Sequence, residues 1–173
     1  EIDDILAAVE YAAKLPYVDA NRIYLGGHST GGTTAMLCAE MSGKFRAVFA
    51  FGPADTAAGH GGEFNPYNLR DQKEVQLRAP ILWLGGIQSP TFVFEGATNG
   101  NVDSLLNMQK ASKNPKVQFF PMRGFDHFSV LAPTSALIAK KIVADTGEQC
   151  NIAFTEEELR QVKAGPPPKK MKR

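Results

Sequence analysis

Residues 21–32 read Asn21-Arg22-Ile23-Tyr24-Leu25-Gly26-Gly27-His28-Ser29-Thr30-Gly31-Gly32, and this stretch decides the fold. RIYLGG (22–27) is short, β-branched and aromatic, then breaks at two glycines, as a core strand does. TTAMLCAEMS (33–42) reads as a helix that places Thr34, Leu37, Cys38 and Met41 on one face. Between them stands G-x-S-x-G at Gly27, Ser29 and Gly31, in the strand–turn–helix context that gives the motif meaning. A serine on so sharp a turn has a strained backbone, so the residues two positions away must be nearly free of side chain. In return its hydroxyl stands clear of the sheet, and the helix N-terminus beneath it favours developing negative charge. Ser29 is therefore a candidate nucleophile, and the Thr30 backbone N–H a candidate oxyanion donor.

Outward from this turn, strands and helices alternate. Upstream, Ile2, Ile5, Leu6, Val9, Ala12 and Ala13 lay an apolar stripe along a helix that Pro16 ends. Downstream, FRAVFAFG (45–52) is the nearly continuous apolar run of a strand covered on both faces. The Gly-, Asn- and Pro-rich stretch 53–71 is a loop or excursion. Of two further strand candidates, PILWLGG (80–86) and PTFVFEG (90–96), the second is preferred, because β-branched and aromatic residues fill it and Glu-Gly ends it. A helix over 101–113 follows, built on Val102, Leu105, Leu106 and Met108, and then the strand VQFFPM (117–122) and the loop GFDHF (124–128). Leu131, Ile138 and Ile142 share one face of a last core helix, and Thr155 with Glu158 forms a capping box on a satellite helix. Four such alternations predict an α/β layered sheet.

Composition narrows the function. The chain has 173 residues, 43% hydrophobic, with 19 Lys and Arg against 18 Asp and Glu. That balance removes the electrostatic case for nucleic acid, and no apolar run reaches the roughly 20 residues of a membrane span. Two cysteines, Cys38 and Cys150, are too few for a disulfide framework and too far apart for a zinc knuckle. Cys38 is expected to be buried and inert. Compartment is left open.

A serine nucleophile needs a base, and the chain offers His28, His60 and His127. His28 adjoins Ser29 and is expected to point away from it. His127 follows the last core strand, where a base at the top of the sheet belongs when the chain order is Ser, acid, His. Asp126 beside it is read as a capping residue. Trp83, Phe92 and Phe94 are candidates for an acyl pocket, although aromatics near a central strand are usually core.

These blocks together resemble the catalytic domain of the α/β-hydrolase superfamily, on the side of its prolyl oligopeptidase and dienelactone hydrolase members. The resemblance rests on NRIYLGGHSTGG, AVFAFGPA, LRAPI…SPTFVFEG and FPMRGFDHF, and covers residues 1–146. It implies an α/β-hydrolase fold, a mostly parallel sheet with helices on both faces. It also implies Ser29 as nucleophile and His127 as general base and then acid. His60, in GHGGEF, is similar to the glycine-rich oxyanion loop of lipases, but that loop precedes the nucleophile there. At the family's usual Asp position this chain has Asn99. Glu95 at the strand end is the preferred acid, with Asp103 and Asp55 as alternatives. The four earlier strands of a complete hydrolase, and the loop that carries its second oxyanion donor, are expected to be missing. RIYLGG then becomes an open edge that offers a route to self-association. Residues 147–164 are expected to form a helical extension and 165–173 a disordered tail. The expected activity is a serine hydrolase acting on a small-molecule ester or a peptide, with no metal or organic cofactor; the alternative is a catalytically incompetent interaction module.

Overall fold

Four parallel strands form one sheet in the computed structural model, which describes residues 1–60 and 67–163. They are β1 (Tyr24–His28), β2 (Ala47–Phe51), β3 (Thr91–Gly96) and β4 (Val117–Met122), hydrogen-bonded in the order β1-β2-β3-β4. The helices are α1 (Ile2–Ala12), α2 (Thr30–Met41), α3 (Gln72–Leu77), α4 (Val102–Ala111), α5 (Leu131–Ala144) and α6 (Glu156–Gln161). The α/β reading of the sequence therefore holds. PTFVFEG is the core strand, while residues 80–86 form two 3₁₀ turns, Pro80–Leu82 and Leu84–Gly86. Asn114 pins the second turn by donating from Nδ2 to the carbonyls of Leu84 and Ile87 at 2.9 and 2.8 Å.

The two faces of the sheet are packed differently. Small residues Val48, Ala50 and Val93 face α2 and α4, with Met36, Ala39, Leu105 and Met108 filling the layer. Alternate residues of the same strands, Phe49, Phe51, Phe92 and Phe94, face α5 and the segment after it. Phe49 stacks on Phe92 at 5.7 Å and Phe51 on Phe94 at 5.6 Å, and Phe154 meets the Phe92 and Phe94 rings edge-on. Leu131, Ile138 and Ile142 of α5 join this aromatic layer, as their spacing predicts.

Two helix faces depart from expectation. On α2 the buried residues include Gly32, Thr33, Ala35, Met36, Cys38 and Ala39, whereas Met41 is exposed and Thr34 and Leu37 are half-buried. The helix begins at Thr30 rather than Thr33, and its buried face combines Met36 with the small residues Gly32, Ala35 and Ala39. On α4, Leu105 and Met108 are buried but Leu106 is exposed.

The chain beyond α5 is fastened by one buried cluster. Asp145, fully buried, accepts from Arg46 Nη2 on Oδ1 at 2.8 Å and from Arg46 Nε on Oδ2 at 2.9 Å. Tyr24 Oη and the Asn151 N–H also donate to it, at 2.7 and 3.1 Å. The capping box of α6 is present, with the Thr155 and Glu158 side chains each bonded to the other's backbone N–H. β1 has β2 on one side only and is an open edge among the described residues. No described helix is long and apolar enough to cross a membrane.

The hydrogen bonds from Arg46 hold the Asp145 carboxyl far below its ordinary value. Folding thus releases protons at this group. Its stabilisation is fully present above the unfolded carboxylate pKa of about 3.9 and is lost as the pH falls below it. Asp145→Asn should therefore be less stable than the parent at neutral pH, with the gap shrinking as the pH approaches about 3. Urea midpoints measured across that range check it; a gap that stays constant refutes it.

Candidate active site

The parallel register delivers four chain segments to one end of the sheet. The Ser29 N–H donates to the Phe51 carbonyl at 2.8 Å, the Gly52 N–H to Phe94 at 2.8 Å and the Ala97 N–H to Met122 at 2.9 Å. Each strand thus hands its last residues to its neighbour, and Ser29, Gly52, Glu95 and the loop after β4 converge at the carboxyl ends, where open α/β sheets place their sites.

Ser29 lies directly between β1 and α2 with φ 57° and ψ −118°, a conformation that non-glycine residues rarely adopt. The strained turn read from the motif is therefore present. Its glycines divide differently from expectation. A Cβ on Gly27 would lie 2.1 Å from the Gly31 carbonyl oxygen, so Gly27 is required. A Cβ on Gly31 would meet nothing within 4 Å among the described residues, whereas one on Gly32 would lie 2.5 Å from the Phe51 oxygen. The close approach belongs to Gly27, which meets the backbone of the first turn of α2, and to Gly32, which meets the end of β2, while Gly31 is exposed. Thr30 is the first residue of α2, so its N–H has no intrahelical acceptor and points out of the helix end.

His127 and Glu95 form the second half of the site. Nδ1 of His127 lies 3.0 Å from Glu95 Oε1 and 3.2 Å from Oε2. A carboxylate only accepts, so the ring proton sits on Nδ1 and Nε2 is left as the proton acceptor. Glu95 is fully buried at the end of β3, and its Oε1 also takes the Asn101 N–H at 3.1 Å. Asn101 Nδ2 donates in turn to the Gly52 carbonyl at 2.7 Å. Gly52 (φ +54°) and Gly100 (φ +89°) enclose the pair: a Cβ on either would lie 2.3 Å from a Glu95 carboxylate oxygen and within 2.7 Å of His127. Neither Asn101 nor these glycines were singled out from the sequence. The left-handed pair Asn99-Gly100, with Asn99 at φ 62°, was the available signal.

The other candidates are placed elsewhere. Asp55 faces α4, accepting from Ser104 Oγ at 3.2 Å and Asn107 Nδ2 at 3.0 Å, and Asp103 is exposed on α4. Asp126 shapes its own loop, accepting from the N–H groups of Phe128 and Ser129 and from Ser129 Oγ. Phe92 and Phe94 are fully buried in the aromatic layer, and Trp83 is exposed, donating to the Gln76 carbonyl at 2.8 Å. Cys38 is buried, which pushes its thiol up to about 11 and keeps it unreactive. His60 closes a 3₁₀ turn, and most of GHGGEF lies outside the described residues, as does the tail. The His28 ring packs on that of His127 with centroids 4.4 Å apart. Ser29 Oγ makes no hydrogen bond among the described residues; apo sites often show such loose geometry.

Residues 1–75 match the prolyl oligopeptidase family, Peptidase_S9. No curated protein matches the chain. Among solved structures, the chain is similar to Porphyromonas gingivalis dipeptidyl peptidase 4, with a TM-score of 0.65 and 20% identity over 83% of this chain and 22% of that one. It is similar to a Pyrococcus horikoshii acylaminoacyl peptidase, with a TM-score of 0.70 and 14% identity over 91% of this chain and 30% of the other. An acetyl xylan esterase from Paenibacillus sp. R4 gives a TM-score of 0.63 and 15% identity, covering 83% of this chain and 51% of that one. The chain therefore carries an α/β-hydrolase, prolyl oligopeptidase-like fold and spans between 22% and 51% of the length of these three proteins.

Substituting the glycines one at a time should separate their roles. Gly27→Ala and Gly52→Ala should each destabilise by about 2 kcal/mol or more, since backbone or the Glu95–His127 pair must move. Gly31→Ala, inside α2 with open space around it, should be neutral or stabilising by up to about 1 kcal/mol. Urea unfolding of the three variants measures this, and a Gly31→Ala loss equal to that of Gly27→Ala would refute the assignment.

Proposed function

We propose that this prolyl oligopeptidase-like chain is a serine hydrolase that cleaves an ester or peptide/amide bond through an acyl-enzyme. The observation that carries this reading is the hydrogen bond of His127 Nδ1 to the buried Glu95 carboxylate, at the same sheet end as the strained Ser29. Glu95 keeps the proton on Nδ1, which aims a basic Nε2 outward. His127 Nε2 takes the proton of Ser29 as Oγ bonds to the substrate carbonyl carbon, and the carbonyl π electrons move to its oxygen. The Thr30 N–H, at the positive end of α2, donates a hydrogen bond to that oxyanion. Collapse of the intermediate expels the leaving group, which takes the proton from Nε2. Water then repeats the sequence on the acyl-enzyme, releasing the acid and restoring Ser29. The Glu95 carboxylate stabilises the imidazolium that forms in each half. Substrates are small-molecule esters or peptides. A second reading is a catalytically incompetent module.

A fluorophosphonate probe separates the two readings. It should modify Ser29, and Ser29→Ala should abolish labelling; peptide mapping of the adduct locates it. Attachment at another serine, with Ser29 untouched, ends the hydrolase proposal.

The acid is tested by turnover of a simple aryl ester, with circular dichroism as the folding control. Glu95→Gln should lower kcat by about 10²–10⁴, because an amide neither selects the tautomer nor stabilises the imidazolium. Asp103→Asn and Asp55→Asn should each stay within a few-fold of the parent. A collapse in either, with Glu95→Gln near normal, would move the acid elsewhere.

A further inference from the structure

We infer that His28 is a positioning residue for His127, a role that rests on the hydrolase reading above. His28 Nε2 lies 2.9 Å from the main-chain carbonyl oxygen of His127. A carbonyl only accepts, so His28 is the donor and its proton sits on Nε2. The two rings also pack at 4.4 Å, and Phe128 closes the group at 5.5 Å from His28 and 5.1 Å from His127.

The value of this bond lies in what it joins. The loop 124–129 is tied to the sheet on one side by Thr98, whose Oγ1 and N–H donate to the Phe125 carbonyl at 2.8 and 3.1 Å. The three bonds received by the Asp126 carboxylate stay inside the loop and shape it without anchoring it. Glu95 fixes the imidazole ring itself. The main chain that carries the imidazole is held by His28, and the next residue after His28 is Ser29. One hydrogen bond thus couples the strand that ends in the nucleophile to the loop that carries the base. Any slide of that loop past β1 changes the distance from Ser29 Oγ to His127 Nε2, and a misplacement near 1 Å costs up to about 10² in rate.

Two variants divide the contact into its parts. His28→Phe keeps a ring against His127 and removes the donor. His28→Gln keeps an N–H donor at the place of Nε2 and removes the ring. Aryl-ester hydrolysis by His28→Phe should lose about 10- to 10²-fold in kcat with KM within about threefold, and His28→Gln should recover to within about threefold of the parent. The His127 Nδ1–H shared with Glu95 supplies a readout that needs no turnover, as a low-field proton resonance. It should be sharp in the parent and in His28→Gln, and broadened or lost in His28→Phe. If circular dichroism finds His28→Phe unfolded, His28→Leu takes its place as the donor-free variant. Equal impairment of folded His28→Gln and His28→Phe overturns the inference, and so does an unchanged resonance in the donor-free variant. A parent that shows the resonance pattern but no probe labelling at Ser29 would refute the hydrolase reading while leaving the positioning contact intact.

Discussion

A carboxylate with no solvent exposure must be met by donors from the protein, and Glu95 is met by donors from two other stretches of chain. Its own strand delivers it to the end of the sheet, Asn101 donates from the turn that follows, and His127 donates from the loop after β4. Removing either donor leaves a buried charge short of partners, which is far more costly than losing an exposed ion pair. The turns after β2 and β3 are shaped by this need. Gly52 and Gly100 adopt left-handed backbone and leave out a Cβ because carboxylate and imidazole fill the space between them. Asn101 closes the frame by tying the turn after β3 back to Gly52.

The rest of the fold holds this end of the sheet still. Large rings stack on one face and small residues on the other, so α2 can approach closely while α5 and the segment through Phe154 cover the aromatic layer. The Arg46–Asp145–Tyr24 cluster fastens that cover at the side of the sheet where β1 forms the edge. Ser29 sits at the carboxyl end of the same strand, so the anchoring of β1 bears directly on where the hydroxyl stands.

Much of this was legible in the residues. The order of strands and helices, the strained serine between β1 and α2, and the position of His127 after β4 all follow from local patterns in the chain. Those patterns are short in range: a strand of alternating environment, a glycine forced by its next turn, a loop after a strand. The preference for Glu95 over Asp103 and Asp55 also came from local reasoning, since a strand tip points at the site and a helix face does not. What was missed depends on how distant segments meet. Spacing put Thr34, Leu37, Cys38 and Met41 on one face of α2, yet the residues buried there include Ala35, Met36 and Ala39 as well as Cys38. The contact of His28 with the His127 carbonyl was not foreseen, because it depends on where the loop carrying His127 returns.

Periodicity, turn chemistry and the G-x-S-x-G spacing therefore determined, by themselves, an α/β sheet with a serine on a strained strand-to-helix turn and a histidine downstream. Such signals depend on neighbours within about one turn or strand, which a linear sequence displays. Only the tertiary structure decided which carboxylate meets His127, which glycines the site requires, and that His28 holds the His127 main chain. The residues in those contacts lie 32 positions apart for Glu95 and His127, and 99 for His28 and His127. Parallel pairing sets the register between such distant segments, and no local pattern encodes the angle at which each loop returns to its neighbour.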